Sequence, residues 1–189
     1  MSTDPGASDR ARLRRVPSNE LTASEIRAIR ELLWAAFPSG DQEFTEDDWQ
    51  HAIGGLHFVL ELDGKILAHA SVVQRELQVG GRPVRTGYVE AVATHPGQQG
   101  RGLGTRVMRD VTSYIQERFE LGALGTGSQH FYERLGWLRW RGPTSVRTDD
   151  GVRRTPGEDG HILVLPTPSS PQLDLTAPMS CEWRPGDVW

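Results

Sequence analysis

A chain of 189 residues, 37% hydrophobic and 24% charged, is long enough to bury a core without metal or disulfide support. Its net charge of −4 excludes a global basic field for nucleic acid, and no apolar run approaches the roughly 20 residues that a membrane span needs. The single cysteine, Cys181, has no partner for an internal disulfide, and Arg10, Arg12, Arg14 and Arg15 precede no apolar stretch of the secretory kind. A cytoplasmic protein with no nucleic-acid or membrane partner is expected.

Residues 1–11 are rich in Ser, Asp, Gly and Arg and are expected to be a disordered tail, leaving 12–189 as a single domain. Leu13 to Val16 suits a short first strand. Thr22 and Glu25 form a capping-box pattern, after which Ile26, Ile29, Leu33, Ala36 and Phe37 follow helical spacing up to Pro38-Ser39-Gly40. Thr45-Glu46-Asp47-Asp48 opens a second helix, acidic at its positive end, and Gly54-Gly55 stops it. Strands are expected at 57–62, 65–78 and 83–94, joined by the turn pairs Asp63-Gly64 and Gly80-Gly81. A helix is expected from Leu103 to Phe119, with Val107, Val111, Tyr114 and Ile115 on one face. A strand at 121–124, a short helix at 128–135 and a strand at 137–141 follow. Residues 142–160 look loop-rich, 161–165 suits a strand, and four prolines make 166–178 irregular. Met179 to Trp183 could be a last strand. The order implies an α+β (mixed α/β) fold: a mixed sheet with antiparallel hairpins and one parallel crossover.

Between the strand ending at Thr94 and the helix beginning near Leu103, glycines stand at 97, 100, 102 and 104. Glycines there let backbone amides approach an anion, and the helix N-terminus adds a partial positive charge. A Walker loop requires a lysine that this stretch lacks, and a Rossmann loop requires a different glycine spacing. The remaining phosphate pattern, Gln/Arg-x-x-Gly-x-Gly/Ala after an apolar strand, is met by Gln99-Gly100-Arg101-Gly102-Leu103-Gly104. A mobile linker is the competing reading, disfavoured because an apolar strand and an amphipathic helix flank the loop so closely.

These residues resemble the acetyl-CoA motif of the GNAT acetyltransferase family, from Ala91-Val92-Ala93-Thr94 through Gly104. The resemblance continues through Leu121-Gly122-Ala123-Leu124 to Phe131-Tyr132-Glu133-Arg134-Leu135-Gly136-Trp137, where Trp replaces the family's second Phe. A narrower likeness runs from about residue 20 to the end. Phe44 to Trp49, Gly87-Tyr88-Val89-Glu90, Gly142 to Val146 and Cys181 to Trp189 are similar to the aminoglycoside 2'-N-acetyltransferases of actinobacteria.

The resemblance implies a GNAT fold: a mostly antiparallel mixed sheet with a central parallel strand pair and flanking helices. It implies direct transfer of acetyl from acetyl-CoA to the 2'-amino group of an aminoglycoside, which would confer drug resistance. The pantetheine arm would pair with Val92, Ala93 and Thr94, and the pyrophosphate would lie on Gln99, Gly100, Arg101, Gly102, Leu103 and Gly104. An amine attacks only when neutral, so a base is needed. On composition alone Glu90 is a salt-bridged strand glutamate; with the resemblance it becomes the first candidate, with the Trp189 carboxylate second. Tyr132, otherwise a core tyrosine, takes the family's place for the acid that protonates the leaving thiolate.

Aminoglycosides are polycations, so carboxylates should hold them. By resemblance the substrate-binding residues are Glu43, Asp48, Glu90, Ala91, Gly125, Glu158, Asp159, Asp187 and Trp189, with Glu43 standing where an Asp is expected. The six histidines (51, 57, 69, 95, 130 and 161) show no metal-ligand spacing, and no metal is expected. Family members pair, so a homodimer is expected. The alternatives are a GNAT enzyme acting on another small amine, and a non-catalytic protein that binds acetyl-CoA or the drug.

Overall fold

A computed structural model describes residues 11–38 and 43–189. The expected tail lies outside the described residues except for Ala11, which is buried, and Ser39-Gly40 also lie outside them. The chain divides into two compact units. The first holds the residues up to Val73 together with Glu90–Val111; the second holds Gln74–Val89 together with Thr112–Trp189.

In the first unit, β1 (Arg12–Pro17) precedes α1 (Ala23–Ala36) and α2 (Glu46–Ala52). Both helices begin with a complete capping box. The Thr22 hydroxyl accepts from the Glu25 amide while the Glu25 carboxylate accepts from the Thr22 amide, and Thr45 and Asp48 do the same for α2. These pairs satisfy amides that have no partner inside a helix. Ile29, Leu32 and Leu33 of α1 pack with Phe44, Trp49, Ala52, Val16, Val59 and Ala93 in the core of this unit.

Strand β2 (Leu56–Leu62) pairs antiparallel with β1 and with β3 (Lys65–Val79). Asp63 and Gly64, with φ of 51° and 74°, make the two-residue turn whose hand matches the strand twist. Strand β4 (Arg82–Thr94) is the neighbour of β3, and both run through the two units. Helix α3 (Leu103–Arg118) follows the glycine loop.

In the second unit, β5 (Leu121–Gly125) lies parallel to β4, Gly87 opposite Gly122, as a strand–helix–strand crossover requires. The central parallel pair is therefore as expected. Helix α4 (Gln129–Glu133) and strand β6 (Leu138–Arg139) follow. The strand expected over 137–141 is shortened at both ends. The Trp137 amide donates to the Tyr132 carbonyl and the Arg141 amide to the Leu175 carbonyl, so neither joins the ladder.

The segment expected to be loop-rich, 142–160, instead carries the hairpin of β7 (Thr144–Thr148) and β8 (Gly151–Arg154), with a turn of 3-10 helix at Pro156–Glu158. Thr144-Ser-Val-Arg-Thr148 is a short β-favouring run whose polar residues hide its pattern. Strand β9 (Ile162–Pro166) pairs antiparallel with β5 and β6. Strand β10 (Met179–Glu182) joins β3 antiparallel and β7 parallel, a second parallel pair that the sequence does not announce. Among the described residues, no helix is long and apolar enough to cross a membrane.

Candidate active site

The first unit presents the glycine loop. Strand β4 is anchored at its end by the His95 amide, which donates to the Leu67 carbonyl at 2.8 Å. Pro96–Gln98 then form a 3-10 turn, with His95 Nδ1 accepting from the Gly97 amide. The Gln99 side chain reaches back toward the Thr94 carbonyl at 3.4 Å. Gly100 and Gly102 have φ of 75° and 78°, the left-handed region, and a Cβ on either would meet nothing within 4 Å. The loop is therefore bare on its outer side, and its glycines are there for backbone shape.

Gly102 opens α3 by accepting from the Arg106 amide at 2.9 Å. The first-turn amides of a helix have no acceptor within it, so those of Leu103, Gly104 and Thr105 face the anion-favouring end of the dipole. Buried Leu103, Val107, Met108 and Val111 fix the helix axis. From His95 to Arg106 the chain carries Arg101 and Arg106 and no carboxylate. Left-handed glycines, the amides of a helix's first turn and a positive local charge fit a pyrophosphate.

Beside the loop, β4 carries Glu90, Ala91, Val92, Ala93 and Thr94. Glu90 is half-buried, and its carbonyl lies 3.4 Å from the Ser71 hydroxyl. Ala91 has φ of 51°, unusual for a residue with a Cβ, and its carbonyl accepts from His69 Nδ1 at 2.8 Å. Ala93 belongs to the core. Of the other two acids expected to contact substrate in this unit besides Glu90, Glu43 is exposed, whereas Asp48 is spent on capping α2, accepting from the Thr45 amide and hydroxyl at 2.8 Å each.

The second unit brings together Gly125, Glu158, Asp187 and Trp189. A Cβ on Gly125 would lie 3.6 Å from the Tyr88 hydroxyl and 3.7 Å from the Trp189 carbonyl carbon. The Trp189 indole donates to Thr155 at 2.9 Å and its amide to the Asp187 carboxylate at 3.0 Å. Arg184 donates to the Trp189 main-chain oxygen at 3.1 Å. Glu158 is half-buried, and its carboxyl is held above the usual range by burial and by Asp187, against the pull of His161. Two carboxylates close enough for one to disfavour the charge of the other suit a cationic ligand.

Asp159 differs from its neighbour. It accepts from the Thr144 amide at 2.8 Å, the Thr144 hydroxyl at 2.9 Å and Arg154 at 2.7 Å, and these partners hold its carboxyl below the usual range. It fastens the β7–β8 hairpin. Tyr132 lies buried on α4, with Phe131 and Trp137 edge-on to its ring; burial raises its phenol pKa, so it stays protonated at neutral pH.

Arg75 was not singled out from the sequence. Almost wholly buried, it donates to the Glu182 carboxylate and the Val188 carbonyl at 2.8 Å each, and its guanidinium sits 4.6 Å from the centre of the Tyr88 ring. It ties β3 to the C-terminal segment that carries Asp187 and Trp189. The available signal was parity: Arg75 shares the inward phase of Val73 and Leu77. Among the described residues, no three His, Cys, Asp or Glu side chains group to hold a metal.

The profile of the Acetyltransferase (GNAT) family matches residues 26–137. An aminoglycoside 2'-N-acetyltransferase of Mycolicibacterium fortuitum is 41% identical over 180 residues, covering 93% of this chain and 91% of that protein. A GNAT family N-acetyltransferase from Escherichia coli, solved in complex with CoA, superposes with a TM-score of 0.67 at 17% identity, covering 96% of this chain and 93% of that one. A GNAT family acetyltransferase from Brucella melitensis, solved with acetyl-CoA, gives a TM-score of 0.57 at 20% identity over 87% of this chain and 93% of that one. Against some larger solved chains the match spans only about a third of their length.

Proposed function

The chain belongs to the GNAT acetyltransferase family, and we propose that it transfers acetyl from acetyl-CoA to the 2'-amino group of aminoglycosides, thereby conferring resistance to them. The observation that carries this is the glycine loop at the head of α3, which follows the strand that bears Glu90: two left-handed glycines, the first-turn amides of a helix, and a run from His95 to Arg106 with two arginines and no carboxylate of its own. The substrate class is taken from the 41% identical relative and supported by Glu158 and Asp187 of the second unit.

In the proposed reaction the pyrophosphate lies on the amides of Gln99 to Gly104 and the pantetheine arm runs along Val92, Ala93 and Thr94. The amine nitrogen attacks the thioester carbonyl carbon, the C–S bond breaks, and the electron pair leaves with sulfur. Glu90 takes the proton of the attacking amine through water, and Trp189 remains the second candidate for that role. Tyr132, kept protonated by its burial, supplies a proton to the thiolate. Glu158, Asp187, Glu43 and the backbone of Ala91 and Gly125 are assigned to the polycation. Asp48 and Asp159 serve it less directly, because each is already engaged in holding local structure. A cytoplasmic homodimer, free of nucleic acid and membrane, is the setting proposed with this activity.

The test is mass spectrometry of a 2'-amino aminoglycoside after incubation with the protein and acetyl-CoA. Gain of one acetyl group on the 2' nitrogen supports the proposal. Absence of any gain on every such drug defeats it.

A further inference from the structure

Two buried histidines form a one-directional hydrogen-bond chain that ends on the backbone beside Glu90. His57 on β2 and His69 on β3 are diagonal neighbours across the antiparallel pair, since His57 faces Ser71 and Val59 faces His69. Both rings are fully buried. His69 Nδ1 lies 2.8 Å from the Ala91 carbonyl, His57 Nδ1 lies 2.9 Å from His69 Nε2, and the Ser18 hydroxyl lies 2.8 Å from His57 Nε2.

The carbonyl fixes every proton in this chain. A carbonyl only accepts, so His69 must carry its proton on Nδ1. A neutral ring then has a bare Nε2, which must accept from His57 Nδ1–H. His57 Nε2 in turn accepts from the Ser18 hydroxyl. Ser18 receives a bond from the Gly54 amide at 2.9 Å. Its other acceptor, the Gly55 carbonyl at 3.1 Å, is also served by the Ser18 amide. Each donor therefore points toward Ala91. Burial favours the neutral rings that this scheme requires, holding His57 to about 4 and His69 to about 3.

The chain ends where the backbone is strained. With φ of 51°, Ala91 sits in the left-handed region, which a residue with a Cβ occupies only when its surroundings hold it there. We propose that Ser18, His57 and His69 are positioning residues that hold the Ala91 carbonyl, and with it the kink in β4 that aims Glu90. This rests on Glu90 serving as the base. None of the three touches substrate; they act through the backbone.

Two variants and one spectroscopic reading test it. His69→Leu keeps bulk but removes the donor, and His69→Asn returns a donor close to the Nδ1 position. For His69→Leu, kcat should fall at least about tenfold, the acid limb of its pH profile should move, and KM for acetyl-CoA should change little. His69→Asn should recover most of the loss. A folded His69→Leu protein with unchanged kcat and acid limb overturns the proposal. In the unaltered protein, nitrogen NMR should find both rings neutral and protonated on Nδ1 between pH 6 and 8. A charged ring, or a proton on His69 Nε2, also overturns it. The NMR result needs no turnover, so it judges the chain even if no amine is acetylated, an outcome that would instead sink the proposed activity.

Discussion

Glu90 and Gly102 carry the two halves of the proposed chemistry, proton removal and anion binding, and each has a substitution that isolates its part. Glu90→Gln keeps size and hydrogen bonding but cannot take a proton. It should lower kcat at neutral pH by about 10²-fold or more and leave acetyl-CoA affinity nearly unchanged in calorimetry. Equal turnover would move the role to Trp189 or to solvent. At Gly102, Asn tolerates a left-handed backbone, whereas Asp adds a charge on a similar frame. Gly102→Asp should therefore weaken acetyl-CoA binding well beyond Gly102→Asn. Equal losses would mean that conformation, not repulsion of a diphosphate, matters there.

The histidine pair makes a separate forecast for stability. Burial lowers the His57 pKa from 6.5 to about 4 and that of His69 from 6.5 to about 3, so the unfolded chain binds protons that the folded one refuses. Stability from this source is complete above pH 6.5 and is lost as pH falls toward 4 for His57 and toward 3 for His69. Glu25, held at about 2 by the Thr22 amide and by Arg14, acts in a lower window, between 4.5 and 2. Urea midpoints should decline already between pH 6.5 and 5, and His57→Gln with His69→Asn should flatten that decline. A midpoint constant across that interval in the unaltered protein would contradict the neutral buried pair.

At the scale of elements, what the sequence makes legible is what local rules govern. The capping boxes at Thr22 and Thr45, the turns at Asp63-Gly64 and Gly80-Gly81, and the apolar face of α3 all lie where spacing and turn chemistry put them. The β7–β8 hairpin was not legible, because its strands are short, polar and pinned by Asp159 rather than by an apolar stripe. The parallel pairing of β10 with β7 involves residues more than 30 positions apart and leaves no local trace. The β4–β5 crossover is tight at Gly122, where a Cβ would sit 2.9 Å from Leu165 Cβ and 3.0 Å from Ile115 Cγ2. Gly122→Ala should cost about 1–3 kcal/mol in urea unfolding through overpacking. A neutral result would show that α3 and β9 give way easily.

For the whole molecule, the motif residues were legible and their supports were not. The glycine loop announces itself because backbone shape demands glycine, and α3 must begin where the loop ends. Arg75, Arg184 and Thr155 hold the segment bearing Asp187 and Trp189 through contacts between distant parts of the chain, which no spacing rule encodes. The same holds for the histidine chain onto Ala91. A net charge of −4 gives a weakly acidic protein for the proposed polycationic drug, so the KM for that drug should rise with ionic strength while KM for acetyl-CoA, assigned to backbone amides, rises less. Steady-state kinetics across a salt series would check this, and equal responses would count against carboxylate-based recognition.

Acetyl transfer from coenzyme A to a 2' amine is the reaction on which the proposed function stands. Thiol release from acetyl-CoA, followed with matched 2'-amino and 2'-hydroxy aminoglycosides, tests it most directly. Release with the amine and none above background with the hydroxyl is the expected result; equal release with both, or release with neither, would contradict it.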